Sequence, residues 1–250
     1  MIDQLATWLR NSQSTVAFTG AGISTESGIP DFRSPGGIWE NSTPVLFDDF
    51  VASEASRIEY WRQKSEAHRE YFDARPNVGH QVLARWQGEG ILDRVITQNI
   101  DGLHQAAGSK DVLEIHGTAR EVACLECSWR DGASRWVDEF IETGVPPCCP
   151  GCHGPLKHAT ISFGQMLDAD TLRQCGRLAA SCDLFLAMGS SLVVHPAAGL
   201  PEAAKRGGAK LVIINRCETD FDSVADLVIN ESLGETLGEV DELLKTPGGQ

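Results

Sequence analysis

The stretch Thr15-Val16-Ala17-Phe18-Thr19-Gly20-Ala21-Gly22-Ile23-Ser24 decides the fold, and Pro30-Asp31-Phe32-Arg33 completes it a few residues on. An apolar strand that ends in Gly-Ala-Gly is how an α/β protein brings bare backbone N–H groups against a phosphate. The third glycine of a dinucleotide fingerprint is missing, because Thr25 stands in its place. Asp31, Phe32 and Arg33 add a carboxylate, an aromatic ring and a guanidinium. That set suits chemistry on a ligand better than simple holding of it.

Working outward, three more apolar runs, at 94–97, 184–188 and 210–214, each stop at a Gly, Asn or Gln. Short apolar strands alternating with helical patterns predict an α/β chain with a parallel sheet covered on both faces. Ligands of such sheets sit beyond the carboxyl ends of the strands, where all four runs deliver polar residues. Two stretches break the alternation. Residues 40–78 are helical in character up to Pro76-Asn77, and residues 119–157 hold paired cysteines. Both read as insertions that build a small lobe, leaving 1–39, 79–118 and 158–250 to the sheet domain.

The bulk numbers exclude several classes. Lys+Arg 21 against Asp+Glu 35 gives a net charge of −14, and neutralising nucleic-acid phosphates needs basic surface that this chain lacks. No apolar run of about 18 residues exists to span a bilayer, and Met1-Ile2-Asp3-Gln4 opens no signal peptide. Eight cysteines in such a chain point to a reducing compartment, with some thiols serving a metal. The expected location is the cytoplasm.

Cys124-x-x-Cys127 and Cys149-x-x-Cys152 are two knuckles that can close one tetrahedral zinc site. Cys148 adjoins the second knuckle, but only Cys149 keeps the two-residue spacing. Four thiolates leave no open position for water, so the metal is expected to be structural. Cys175, Cys182 and Cys217 read as buried thiols. Thr97-Gln98-Asn99-Ile100-Asp101 follows a strand, where amides and a carboxylate suit hydroxyls and a carboxamide, or equally cap a helix. His116-Gly117 offers a side chain matched to proton transfer near neutral pH. His80, His104 and His195 compete for that role on spacing alone. Gly189-Ser190-Ser191 and Asn215-Arg216 end two further strands and offer N–H groups, hydroxyls and an amide.

Together these residues resemble the sirtuins, the NAD-dependent protein lysine deacylases, from about residue 15 to about residue 244. The resemblance rests on residues 20–33, 97–101, 116–117 and 189–192, on both knuckles, on Phe163-Gly164 and on Asn215. It implies a Rossmann-like, doubly wound domain with a small zinc lobe, NAD as a consumed co-substrate, one structural zinc, and acyl-lysine peptides as partners. It further implies that Gly20, Ala21, Gly22, Ser24, Gly189, Ser190 and Ser191 line the dinucleotide site, with Asn215 and Arg216. Gln98, Asn99, Ile100 and Asp101 would seat the nicotinamide and its ribose. Asp31 and Arg33 would order a loop over NAD, and Phe32 would shield the reacting sugar carbon. His116, with Asn99 and Asp101, would be catalytic, taking a proton through the ribose hydroxyls after the acyl oxygen has attacked. The peptide would add as a strand against Phe163, Gly164, Val193, Val194 and His195.

The products implied are free lysine, nicotinamide and acyl-ADP-ribose; transfer of ADP-ribose to protein or to water is the alternative. An inert NAD-sensing module and a zinc hydrolase are the remaining rivals. The chain departs from most sirtuins at His158, where they carry Pro, and at Gln165, usually Glu. Sirtuins that prefer succinyl or malonyl groups place a Tyr and an Arg, three residues apart, in the acyl pocket. Counting back from His80 reaches Arg62-Gln63-Lys64-Ser65, which lacks that pair. Tyr60, Arg62 and Lys64 could substitute after a register shift. Neutral acyl groups are the expectation.

Overall fold

Each of the four apolar runs becomes a strand with the bounds the sequence suggests. β1 (Thr15–Thr19), β2 (Arg94–Thr97), β3 (Leu113–Glu114), β7 (Leu184–Met188), β8 (Lys210–Ile214) and β9 (Leu227–Ile229) form one sheet in the order β3-β2-β1-β7-β8-β9. All its pairings are parallel. Every residue of β1 and β7 is buried, which is why these strands read as continuous apolar runs and not as an alternation. The computed structural model describes residues 1–31, 37 and 43–246, and for residues 69–71 the backbone alone. Phe32 and Arg33, singled out from the sequence, lie outside the described residues.

Helices cover both faces of the sheet. α1 (Ile2–Asn11), α4 (Val78–Gly88) and α9 (Leu233–Lys245) press Leu5, Leu83, Trp86 and Leu237 onto one side. α7 (Ala169–Ser181) and α8 (Leu200–Gly207) close the other over Phe18, Phe185 and Ile213. Cys175 and Cys182 belong to this second core, and burial pushes both thiols up to about 11. Cys217 does not join them. It is exposed on the loop after β8, because its neighbours Arg216 and Glu218 are solvated as well.

The second layer of structure is an antiparallel sheet of β4 (Gly117–Cys124), β5 (Arg130–Gly132) and β6 (Leu156–Thr160), ordered β5-β4-β6. α2 (Phe47–Ala52), α3 (Glu54–Asp73) and α6 (Ser134–Thr143) pack with it. Phe50 and Trp61 of the first insertion share one apolar core with Trp136, Phe140 and Leu156. The strands of this small sheet reach past both ends of 119–157, to Gly117 and to Thr160.

Within the parallel sheet the strand order reverses between β1 and β7, since β1 connects toward β2 and β3 while β7 leads toward β8 and β9. Doubly wound sheets bind ligands in the crevice at such a switch point.

Candidate functional site

The glycines after β1 are explained by what they touch. Gly20 N–H donates to the Met188 carbonyl (2.9 Å) and Gly22 N–H to that of Gly189 (2.8 Å). A Cβ on Gly20 would lie 2.7 Å from the Gly189 oxygen, and one on Gly22 2.7 Å from the Gly189 Cα. Gly189 itself has φ +60, a conformation glycine adopts freely. Two strand ends thus cross backbone to backbone at the switch point. The N–H groups of Gly20 and Gly22 are consumed by that crossing. Those of Ala21, Ser190 and Ser191 donate to no group among the described residues, so they remain available to an anion.

Beside this crossing sits a buried polar network. Ser24 Oγ donates to Asp101 Oδ2 (2.7 Å), and Asp101 Oδ1 accepts from Leu103 N–H (2.8 Å) at the start of α5 (Leu103–Ala106). Asn99 Nδ2 donates to the Gly20 carbonyl and to Ser24 Oγ, each at 3.1 Å. Gln98 Nε2 donates to Ser190 Oγ (2.7 Å). Ser24, Asn99 and Asp101 are all under a tenth exposed. Buried polar groups are costly unless partnered, and each of these has partners from another strand end. Residues from β1, β2 and β7 are thereby locked in mutual register.

His116 stands at the mouth of the network, half-buried. Its Nδ1 lies 3.1 Å from the Gln98 carbonyl. A carbonyl only accepts, so Nδ1 carries the hydrogen and Nε2 keeps a free lone pair. Burial lowers the pKa of the ring, with the Gln98 contact opposing, so the imidazole is neutral at pH 7 and ready to accept a proton. Gly117 has φ +72, and a Cβ there would sit 2.0 Å from the Ala159 oxygen. The His-Gly pair is therefore one unit, in which glycine lets β4 leave toward β6 directly behind the imidazole.

Of the competing histidines, His80 and His104 are fully buried and face each other edge-on at 4.9 Å, while His195 is exposed on a loop. Asn215 Nδ2 is turned to the Cys217 carbonyl (2.7 Å), and Arg216 is exposed. Phe163 and Val193 are 44% and 47% exposed, an unusual exposure for such side chains. Val194 is half-buried beside them, and Gly164 has φ +86. The Phe163 carbonyl accepts from Phe47 N–H (2.9 Å), tying this segment to α2.

The four predicted thiols converge. Cys124, Cys127, Cys149 and Cys152 place their Sγ atoms within 4.8 Å of one another. Three of the separations are 3.4, 3.5 and 3.7 Å, near the edge of about 3.8 Å that Zn–S bonds of about 2.3 Å give a tetrahedron. The donor set fits a structural zinc.

Thr19 and Arg120 escaped the sequence reading, and Thr97 entered it only as the start of the 97–101 motif. Thr19 and Thr97 end adjacent strands and bond each other (2.8 Å). Thr19 also meets His104 Nε2 (2.9 Å), and Thr97 accepts from Asn99 N–H (3.0 Å). Arg120 Nε donates to the Asp101 carbonyl (2.7 Å), and its guanidinium lies over the Phe72 ring at 4.6 Å. A threonine closing each of two neighbouring strands was a legible signal; nothing in the sequence marked Arg120.

Comparison with known proteins gives one consistent result. A sequence model of the Sir2 family matches residues 20–196. An NAD-dependent protein deacetylase of Rhodopseudomonas palustris is 50% identical over 240 residues, covering 95% of this chain and 94% of that protein. Among solved structures, a Sir2 protein with a deacetylated p53 peptide and 3′-O-acetyl ADP-ribose superposes with a TM-score of 0.90 at 39% identity, covering 97% of this chain and 98% of the other. A Sir2 complex with a p53 peptide and NAD+ gives 0.89 at 38% identity, with the same coverage.

Proposed function

This chain belongs to the Sir2 family, and from that membership we infer that it is an NAD-dependent protein deacetylase, removing an acyl group from lysine while consuming NAD. The observation that carries the reading is His116. It is a neutral imidazole whose Nδ1 is spent on Gln98 and whose Nε2 is free, beside a polar network at the switch point of the sheet.

NAD supplies an electrophilic sugar carbon when its nicotinamide leaves. The protein's part is to hold, orient and exchange protons. We assign the pyrophosphate to the unengaged N–H groups of Ala21, Ser190 and Ser191, over the Gly20–Gly22 crossing with Gly189. Asn99 keeps its side-chain carbonyl for the ligand, because its amide is committed to Gly20 and Ser24. With Asp101 it would hold the nicotinamide ribose and carboxamide, and Ile100 would flank the ring. Ser24 and Leu103 keep the Asp101 carboxylate in one rotamer, which is preorganisation of the kind that favours a developing cation. Asn215 and Arg216 would serve the far ribose. His116 Nε2 would accept the proton of a ribose hydroxyl so that its oxygen can take the acyl carbon. Phe32 would shield the reacting sugar carbon, and Asp31 and Arg33 would order a loop over NAD.

Acyl-lysine peptides would add as a strand between Phe163-Gly164 and Val193-Val194-His195. We place the lobes at 1–39, 79–118 and 158–250 for NAD, and at 40–78 with 119–157 for zinc. Among the described residues no helix is long and apolar enough to cross a membrane. The net charge of −14 disfavours nucleic acid, and a cytoplasmic site is our reading.

The test is mass spectrometry of NAD incubated with the protein and an acetylated peptide. Nicotinamide, free lysine and O-acetyl-ADP-ribose should appear in equal amounts, and nicotinamide release without peptide should be slow. Release that ignored the peptide would instead mark an NAD hydrolase.

A further inference from the structure

The corner formed by Ile100, Asp101 and Gly102 is held from two directions. On the large-domain side the Asp101 carboxylate accepts from Ser24 Oγ and from Leu103 N–H. The carbonyls of the same corner are taken by β4 of the small antiparallel sheet. Ala119 N–H donates to the Ile100 carbonyl (2.8 Å), and Arg120 Nε–H donates to the Asp101 carbonyl (2.7 Å). Two consecutive residues of β4 thus hold two consecutive carbonyls of the segment that ends in Asp101.

Gly102 allows the close approach. It has φ +71, and a Cβ there would sit 3.1 Å from both Cγ and Nε of Arg120. A side chain at 102 would press on the arginine stem as well as strain the backbone. Three further contacts fix Arg120 itself. Its guanidinium lies 4.6 Å from the centre of the Phe72 ring of α3, within cation–π range. Its N–H donates to Thr118 Oγ1 (3.2 Å), and its carbonyl accepts from Ala133 N–H (2.9 Å) just before α6. One side chain therefore joins β4, α3 and the nicotinamide corner.

The choice of acceptor matters chemically. Burial lowers the pKa of Arg120, with the Asp101 charge opposing and Arg75 adding to the fall, yet a guanidinium stays protonated in proteins. This cation bonds the main chain of Asp101, while the carboxylate is left to the neutral donors Ser24 and Leu103. Position is fixed without cancelling the charge that would face a developing cation.

We propose that Arg120 is a positioning residue for NAD: its Nε–H sets the Ile100–Gly102 corner, and with it the Asp101 carboxylate, from the side of the small sheet. The proposal rests on the deacylase reading above, in which Asp101 holds the nicotinamide ribose. Arg120 acts through the Asp101 main chain and not on the reacting atoms.

The test compares two uncharged side chains that differ at one atom position. In Arg120→Gln an amide nitrogen stands as many bonds from the backbone as the arginine Nε, whereas in Arg120→Met a methyl carbon stands there. With the full chain, the Kd for NAD by calorimetry and the KM for NAD with an acetylated peptide should both rise about tenfold in Arg120→Met, the scale of one lost hydrogen bond from a charged donor. Arg120→Gln should stay within about threefold of wild type. Peptide affinity without NAD, and a zinc content of one per chain, should not move in either. Equal losses in both variants, or no loss in Arg120→Met, overturn the proposal, because the Nε–H would then not be what matters. Loss of peptide affinity or zinc in Arg120→Gln marks a structural role and overturns it too. If Arg120→Met fails to fold, Arg120→Lys takes its place, since it keeps the charge but puts carbon at the Nε position. The Kd for NAD is read without turnover, so the comparison decides the proposal even if wild type cleaves no acyl peptide, a result that sinks the deacylase reading instead.

Discussion

Two buried polar regions lie on either side of the Asn99–Asp101 segment, and they are built on opposite principles. On the large-domain side, Ser24, Asn99, Asp101, Gln98 and Ser190 satisfy one another across three strand ends. On the small-lobe side, Lys64, Lys157 and His158 crowd together, and no acid among the described residues acts on Lys64 or Lys157. The first region is complete without a ligand and so is rigid beforehand; the second holds unspent charge. The difference teaches that one fold can partner its buried polar groups completely in one region and leave a neighbouring region, such as His158 Nδ1, unpartnered. Dinucleotide chemistry needs fixed dipoles, and the first region supplies them.

The sharpest way to break this comparison is at the corner the two regions share. His116→Ala should lower deacylation by about 10²- to 10⁴-fold, the usual worth of a positioned general base, with NAD affinity changed by no more than about threefold. The wild-type acid limb should lie below pH 6.5, since burial lowers the ring's pKa and activity is lost only once the imidazole gains its proton. Normal turnover by the alanine variant in a single-turnover assay would remove His116 from the mechanism.

Ser24→Ala probes the satisfied side. It takes a donor from Asp101 and an acceptor from Asn99, and a buried polar group left unpaired costs about 1–3 kcal/mol. The KM for NAD should rise about tenfold to a hundredfold on that scale. An unchanged KM would mean that the network does not hold the dinucleotide.

The smallest effect concerns stability on the unsatisfied side. Lys157 binds its proton up to about pH 10.5 when unfolded but releases it above about 7 when folded. Between those values the unfolded state holds more protons, so the contribution of Lys157 to stability rises with pH, by at most about 1.4 kcal/mol per unit. Urea unfolding at pH 7, 8 and 9 should show Lys157→Met with a flatter slope than wild type. Parallel slopes would mean that Lys157 is not desolvated.

Much of this was legible in the residues. β1, β2, β7 and β8 announced themselves because parallel strands covered on both faces must be apolar throughout, and polar residues at their ends mark the carboxyl edge. Both cysteine knuckles were readable because thiolate ligands need fixed local spacing. Cys217 misled because a free thiol is usually buried, whereas its charged neighbours Arg216 and Glu218 keep it at the surface. His116 could not be separated from His80 and His104 by spacing; it took the burial of the latter two in the packed core and the Gln98 carbonyl under its ring. Gly117 looked like a turn glycine until β6 came within 2.0 Å of its missing Cβ.

Taken alone, the amino-acid order determined the parallel sheet, the split into two lobes and the metal site, because each is written in local periodicity or fixed spacing, and its motifs carried the resemblance to NAD-consuming deacylases. Tertiary structure decided which backbone N–H groups remain free, which imidazole nitrogen keeps its lone pair, and which of Tyr60, Arg62 and Lys64 turns inward. Those outcomes depend on contacts between segments far apart in the chain, as where about half a turn of α3 separates the exposed Arg62 from the half-buried Lys64.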